Sequence, residues 1–182
     1  MPKGEVAAHV VVHRGLRRLV LNPWAGATET THSQQTMRVV AQRVTSASVT
    51  VDEQTVGRIE AGLLLLVAFA PGDTVDDSAW MASKLVRLRI FDDAQGVMNC
   101  SVLDTGGSIL AVSQFTLYGD VRKGTRPSYV GSAPAEVAEP LYLTFLQQLE
   151  SLIPGRVAHG TFGAHMQVQL ENDGPVTIIV DR

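Results

Sequence analysis

The sequence predicts an α/β domain with a mixed, mostly antiparallel, barrel-like sheet and two main helices. Three observations carry this. Strand patterns outnumber helical ones, they fall in the order strands, helix, strands, helix, strands, and few strand–helix–strand units can be drawn from them. The chain has 182 residues, 45% hydrophobic and 18% charged, a balance that buries a single core and excludes a disordered chain. The longest apolar run, Gly62 to Ala70, is strand-length and far short of the ~18–20 residues a membrane helix needs.

The elements follow in order from Met37. Arg38 to Val51 is rich in Val and Thr, with Val49 and Val51 on one face and Ser48 and Thr50 on the other, which predicts one strand or two with a bend. Thr55 to Glu60 is a short strand ending at Ala61-Gly62. Leu63 to Ala70 is continuously apolar, as a central strand buried on both faces requires. Pro71-Gly72-Asp73 breaks it. Thr74 to Leu88 is a helix, capped by Asp73 or Thr74, with Asp76 and Asp77 at the positive end of its dipole and Met81, Leu85 and Leu88 at helical spacing. A strand begins at Ile90-Phe91, and Asp92 to Gly96 is a turn. Ile109 to Thr116 is a further strand, and Tyr118 to Ser132 a long loop of Gly, Pro, Arg and Lys.

The second helix runs from about Glu136 to Leu152, with the stripe Leu141, Phe145, Leu149, Leu152. Pro140 removes a donor and so belongs near its first turn. Two strands, Gln167 to Leu170 and Val176 to Val180, follow, separated by the turn sequence Glu171-Asn172-Asp173-Gly174-Pro175.

Residues 1–36 differ in texture. They lack a lasting period and carry four cations against two carboxylates, whereas residues 37–182 carry eleven against sixteen, a net of −5. They are expected to be a disordered extension or the product of an upstream start, with the domain spanning 37–182. An acidic body is not built to coat nucleic acid, so RNA would have to meet a local patch. The single cysteine, Cys100, excludes an internal disulfide and suits a reducing cytoplasm; no His flanks it, so it reads as a small packing residue.

Three stretches could carry chemistry. Ser113-Gln114-Phe115-Thr116-Leu117 places hydroxyls and an amide where an apolar strand runs into a loop, either as a site or as ties for that loop. Asn172 to Thr177 contains strong turn chemistry; it is a hairpin turn, or a turn whose Gly174-Pro175 bond presents fixed carbonyls. The basic loop Arg122-Lys123-Gly124-Thr125-Arg126-Pro127-Ser128 gathers three cations in the acidic body, for phosphate contact or as a solvated run. His159 and His165 stand six apart and no metal-ligand, phosphate-loop or dinucleotide pattern is present, so neither a metal nor a cofactor is expected.

Taken together, these stretches resemble the D-aminoacyl-tRNA deacylase family. Its SQFTL motif is found as Ser113 to Leu117 and its NxGPVT motif as Asn172 to Thr177, with supporting matches at Arg38 to Val44, Leu88 to Phe91, Met98-Asn99, Arg126 to Ser128, Phe162 to Ala164 and Met166 to Val168. The resemblance runs from Met37 onward. It implies a cytoplasmic homodimer, the active site at its interface, that hydrolyses D-aminoacyl-tRNA, and glycyl-tRNA mischarged on tRNA-Ala. It places a cis Gly174-Pro175 of one subunit over Ser113, Gln114, Phe115 and Thr116 of the other, where main-chain carbonyls hold the ammonium group and exclude an L side chain. Arg122, Lys123 and Arg126 would meet the acceptor end, and Phe162, Ala164 and Met166 the terminal adenine. Two mechanisms remain open. Thr116 attacks, which needs an activating base, or water attacks with help from the RNA 2′-hydroxyl while N–H groups near Phe115 and Thr116 hold the oxyanion. Cys100 stands where relatives often have Arg. The competing readings are a non-catalytic RNA-binding or dimerisation module and a general ester or peptide hydrolase.

Overall fold

The computed structural model describes residues 36–182; the expectation for residues 1–36 lies almost wholly outside them. Twelve segments follow in order. They are β1 (Arg38–Val51), β2 (Gln54–Ile59), β3 (Gly62–Ala68), α1 (Val75–Val86), β4 (Phe91–Asp92), β5 (Met98–Cys100), α2 (Val102–Thr105), β6 (Ser108–Ser113), a 3-10 turn (Phe115–Tyr118), α3 (Ala135–Leu152), β7 (Val157–His159) and β8 (Gln167–Asp181).

β1 organises the sheet. Its first half pairs antiparallel with β3 (Arg38↔Ala68, Val44↔Gly62) and its second half with β2 (Ala47↔Ile59). The same alignment runs through both, so β2 and β3 are two halves of one long arm that folds back on β1. β6 then adds parallel to β3, and β7 parallel to β6. α1 lies on the crossover between β3 and β6, and α3 on that between β6 and β7, which makes the sheet mixed, as the sequence predicts.

The sheet curls until its ends nearly meet. At Gly57 of β2, an added Cβ would stand 2.7 Å from the His159 carbonyl oxygen of β7. A bare glycine there lets the two end strands approach. The concave side is filled by Val44, Ala47, Val49, Ile59, Leu64, Leu110 and Val112. The convex side takes the alternate residues Leu63, Leu65 and Val67, under Met81 and Leu85 of α1 and Leu141, Phe145 and Leu149 of α3. β3 is therefore buried on both faces, each large side chain contributing about 1.5–3 kcal/mol.

The helix ends follow local chemistry. Thr74 caps α1, accepting from the Asp77 N–H while Asp77 Oδ2 accepts from the Thr74 N–H at 3.0 Å. Asp73 turns back instead, accepting from the Ala70 N–H at 2.7 Å and the Met37 N–H at 2.9 Å. α3 begins at Ala135, so Pro140 is its sixth residue, deeper than a first-turn proline; it leaves the Glu136 carbonyl without a helical donor, at an exposed position.

Two strand expectations need correction. β6 stops at Ser113 rather than Thr116: the Gln114 N–H makes the last ladder bond, to the Val67 carbonyl (2.7 Å), and the chain then enters the 3-10 turn. Residues 171–175 do not form a hairpin. Both halves of β8 pair antiparallel with the same edge of β1, at Thr50↔Gln167 through Val44↔Asn172 and again at Gln42↔Thr177 through Arg38↔Asp181. Across the gap, one residue of β1, Arg43, faces four of β8, Asp173 to Val176. The turn sequence is thus a bulge in one long strand. The short elements β5, α2 and β7 carry too few residues to show a period.

The seam can be tested. Gly57→Ala should destabilise the fold by about 1–3 kcal/mol, because the added methyl meets backbone. Gly72→Ala, with open space around it, should stay within about 0.5 kcal/mol. Urea denaturation of both variants decides, and equal midpoints would refute the tight seam.

Candidate active site

Two places in the fold collect the residues singled out by sequence. The first is a cavity of about 220 Å³ at the carboxyl ends of the parallel strands β3 and β6. Ser113 ends β6 opposite Val67, and both line it, with Ala68, Phe69, Gln114 and Phe115. Ser132, Ala133, Ala135 and Ala138, leading into α3, complete the wall with Phe162. The lining is small apolar residues among three aromatic rings, Phe69, Phe115 and Phe162, with Ser113, Gln114 and Ser132 as polar points. Its volume is below the roughly 300–1,000 Å³ of a drug-sized pocket, and suits one aminoacyl group or one base.

The 3-10 turn fixes the polar rim. The Leu117 N–H donates to the Gln114 carbonyl (3.2 Å) and the Gly119 N–H to that of Thr116 (2.9 Å). Phe115 and Thr116 open the turn, where N–H groups have no carbonyl within it to reach. Both residues are exposed, Phe115 to 55%. Thr116 Oγ1 accepts a hydrogen bond from the Gln114 amide. Among the described residues no histidine, lysine or carboxylate hydrogen-bonds that hydroxyl. Tyr129 packs edge-on against Phe115, centroids 5.1 Å apart. Phe162 leans on Tyr142, centroids 5.9 Å apart, and the Tyr142 hydroxyl donates to the Ala111 carbonyl at 2.9 Å. Burial pushes the Tyr142 phenol well above its ordinary range, so it stays a neutral anchor.

The expected adenine-contacting residues part company. Phe162 lines the cavity. Met166 packs into the concave cluster, where a Cβ on Gly160 would meet its sulfur at 2.5 Å. Ala164 is half-buried and lines no part of the cavity.

The cations differ too. Asp120 and Ser128 close the basic loop with paired backbone bonds of 2.8 and 2.9 Å. Lys123 and Arg126 are exposed. Arg122 is clasped by Asp120, Nη2 to Oδ2 at 2.7 Å and Nε to Oδ1 at 2.9 Å. The Arg122 hydrogen bond, then its backbone N–H, hold the Asp120 carboxyl down to about 2.

The second place is the β8 bulge. The Asn172 amide closes its neck, donating to the Arg43 carbonyl at 2.8 Å and the Val176 carbonyl at 3.1 Å, while the Thr177 hydroxyl donates to Asn172 Oδ1 at 3.3 Å. The Gly174–Pro175 bond is cis, and Gly174 has φ +111°, a conformation that favours glycine. Beneath it lies Arg43, 7% exposed. Its Nη1 donates to the Ile90 carbonyl at 2.7 Å, and its Nε stands 2.9 Å from Asp173 Oδ2, an ion pair without the alignment of a hydrogen bond. A Cβ at Gly174 would meet Arg43 Nη2 at 3.1 Å. Sequence reasoning missed Arg43. Its signal was a cation continuing the buried alternation Val39, Ala41, Arg43.

The bulge and the cavity lie apart in one chain. Arg43 pairs with Leu63 at one end of β3, and the cavity opens at Val67, about 13 Å along the strand at ~3.3 Å per residue. Gly174 and Pro175 are exposed and line no part of the cavity. Among the described residues, no group of three His, Cys, Asp or Glu stands ready to hold a metal ion.

Comparison with known proteins adds the following. The family model described as D-Tyr-tRNA(Tyr) deacylase matches residues 40–181. The D-aminoacyl-tRNA deacylase of Dechloromonas aromatica (strain RCB) is 54% identical over 145 residues, covering 80% of this chain and 97% of that protein. A solved structure titled c-Myc DNA Unwinding Element Binding Protein superposes with TM-score 0.76 at 41% identity, over 80% of this chain and 98% of the other. One titled as a probable eukaryotic D-amino acid tRNA deacylase gives 0.73 at 21% identity, over 81% and 100%.

Two predictions follow from the geometry. Arg43→Ala leaves the Ile90 carbonyl and Asp173 without their cation and should cost about 1–3 kcal/mol in a urea melt; an unchanged midpoint would show that the guanidinium holds nothing. The Asp120–Arg122 clasp should persist as pH falls below the ordinary carboxylate range of ~3.9 and open only near pH 2, because the folded carboxyl is the depressed one. Carbon NMR titration of the Asp120 carboxyl reads this, and a midpoint near 4 would refute it.

Proposed function

The chain belongs to the D-Tyr-tRNA(Tyr) deacylase family, and from that premise we propose how its two motifs share one reaction. It is a D-aminoacyl-tRNA deacylase. It hydrolyses the ester between a D-amino acid and the terminal ribose of tRNA, releasing the D-amino acid and free tRNA, and so proofreads the supply to translation.

The observation that carries the division of labour is the separation of bulge and cavity within one chain. For both to touch one substrate, Gly174 and Pro175 must come from a second copy. In this reading two subunits pair, and Gly174 and Pro175 of the partner subunit cap the cavity. Their carbonyls accept the substrate ammonium, and the space left beside them takes no L side chain. A D side chain points away and glycine has none, so glycine mischarged on tRNA-Ala is also cleaved. The Asn172 neck and the Arg43–Asp173 contact support a cap held in one shape before substrate arrives.

The chemistry is assigned to water. Thr116 Oγ1 receives an amide proton rather than facing a base, which disfavours it as a nucleophile. The N–H groups of Phe115 and Thr116 steady the developing oxyanion. Ser113 and Gln114 fix the rim, and the RNA 2′-hydroxyl assists the water. Phe162 stacks on the terminal adenine. Lys123 and Arg126 meet acceptor-end phosphates, with Arg122 shaping the loop through Asp120. In this reading the enzyme works in the cytoplasm, the compartment its single cysteine suits.

Purified protein should cleave D-tyrosyl-tRNA and leave L-tyrosyl-tRNA intact, without added metal or nucleotide. Thr116→Ala should keep activity within about tenfold, whereas a terminal 2′-deoxy substrate should be cut at least about a hundredfold more slowly, the scale of one assisting acid–base group. Abolished turnover in Thr116→Ala with normal tRNA binding would make Thr116 the nucleophile. Survival of both esters would refute the activity.

A further inference from the structure

A groove of about 450 Å³, twice the volume of the active-site cavity, lies at the far end of α1. Trp80, Ser83, Lys84, Arg87, Leu88 and Arg89 line it. Three cations within six residues are unexpected in a body of net charge −5. Among the described residues, no carboxylate stands within ion-pair distance of Lys84, Arg87 or Arg89, whereas Arg38, Arg43, Arg58, Arg122 and Arg182 each have one.

The two arginines are positioned by neutral groups. Arg87 Nη1 donates to the Ser83 hydroxyl. Arg89 Nε donates to the Asn99 carbonyl at 2.6 Å, and Nη2 to the Asn99 side chain. Asp93 and Asp104 feel the Arg89 charge, but each is bound first elsewhere, Asp93 by the Val97 N–H and Asp104 by Ser101. A guanidinium has five N–H donors, so both arginines are aimed while most of their donors stay free. Trp80, 39% exposed, adds an aromatic surface that already takes a guanidinium, that of Arg182, at 5.0 Å. Oriented, unneutralised cations beside an aromatic ring suit a polyanion with stacked bases better than an acidic peptide.

We propose that this groove is a second tRNA contact and takes phosphates of the acceptor stem. The proposal rests on the deacylase reading for the identity of the RNA. Its place favours the stem over the terminal nucleotide. α1 runs about 18 Å from the cavity end of β3 to the groove. The groove also adjoins the bulge, because Ile90, next to Arg89, holds Arg43 through its carbonyl. In the paired molecule, RNA whose end enters the partner's cavity passes this groove.

The test is the double variant Lys84→Glu/Arg87→Glu in the full chain. Anisotropy of deacylated tRNA should show binding weakened about tenfold or more, and the slope of log Kd against log salt should fall by about one to two. KM for D-tyrosyl-tRNA should rise likewise with kcat nearly unchanged, and the loss should vanish on 3′-D-tyrosyl-adenosine, which has no stem. Unchanged tRNA affinity and salt slope would overturn the proposal. Should the double reversal fail to fold by circular dichroism, Lys84→Gln/Arg87→Gln removes the charges more gently and reads the same quantities. If the unmodified protein cleaves no D-tyrosyl-tRNA while the variant still loses tRNA binding, the deacylase reading fails and the groove stands. If cleavage is normal and the variant binds normally, the groove alone fails.

Discussion

A guanidinium taken out of water needs fixed partners, and the partners of Arg43 come from two distant parts of the chain. The Ile90 carbonyl follows α1, Asp173 lies on β8, and Asp92 closes from 3.4 Å. Arg43 itself sits on β1, the strand paired along both edges. A buried ion pair of this kind adds little to stability by itself, because desolvation offsets attraction. Its effect is to define position. Four residues of β8 must find room opposite one of β1, and the guanidinium beneath them leaves one arrangement that keeps its charge satisfied. Asn172 closes the same loop from the side. The exposed tip is held by contacts that are not exposed.

That device explains how the fold separates rigidity from chemistry. The cavity is lined by alanines and strand backbone, with few polar atoms, and its rim comes from a single 3-10 turn. Among the described residues, Gly174 and Pro175 line no part of it. The bulge has the opposite character, an exposed stretch of backbone at Gly174 and Pro175. In the reading proposed above, each half is incomplete for a substrate that carries both an ester and an ammonium group, and that incompleteness is the physical argument for pairing.

Most of the element order was legible because it is local. The capping sequence at Thr74, the stripe Leu141, Phe145, Leu149, and the doubly buried run in β3 speak through neighbours within a turn or a strand. The cavity was legible through motifs, since Ser113 to Phe115 and Phe162 line it together. What failed was decided at long range. Asn172 to Pro175 has the composition of a hairpin turn, and only the pairing of both flanks with β1 makes it a bulge. Arg43 looked like one more strand residue, because its partners lie 47 and more positions away. Phe162 and Met166 are four apart, yet they serve opposite faces of the sheet, and no local period distinguishes the convex core from the concave one.

The bulge also has a place in time. β1 meets β2 and β3 across short loops, but its pairing with β8 joins residues 117 (Thr50↔Gln167) to 143 (Arg38↔Asp181) positions apart. Closing so long a segment carries a large entropic penalty before any contact repays it, and distant pairings of this kind form late. β1, β2 and β3 supply a template first, and β8 docks on the finished edge. The bulge at Asp173 to Val176 therefore takes shape after the edge of β1 on which it docks. In the reading proposed above, a chain whose β8 has not docked would hold Ser113 to Thr116 without Gly174 and Pro175, and quality control that removes incompletely folded copies would also remove an unselective hydrolase.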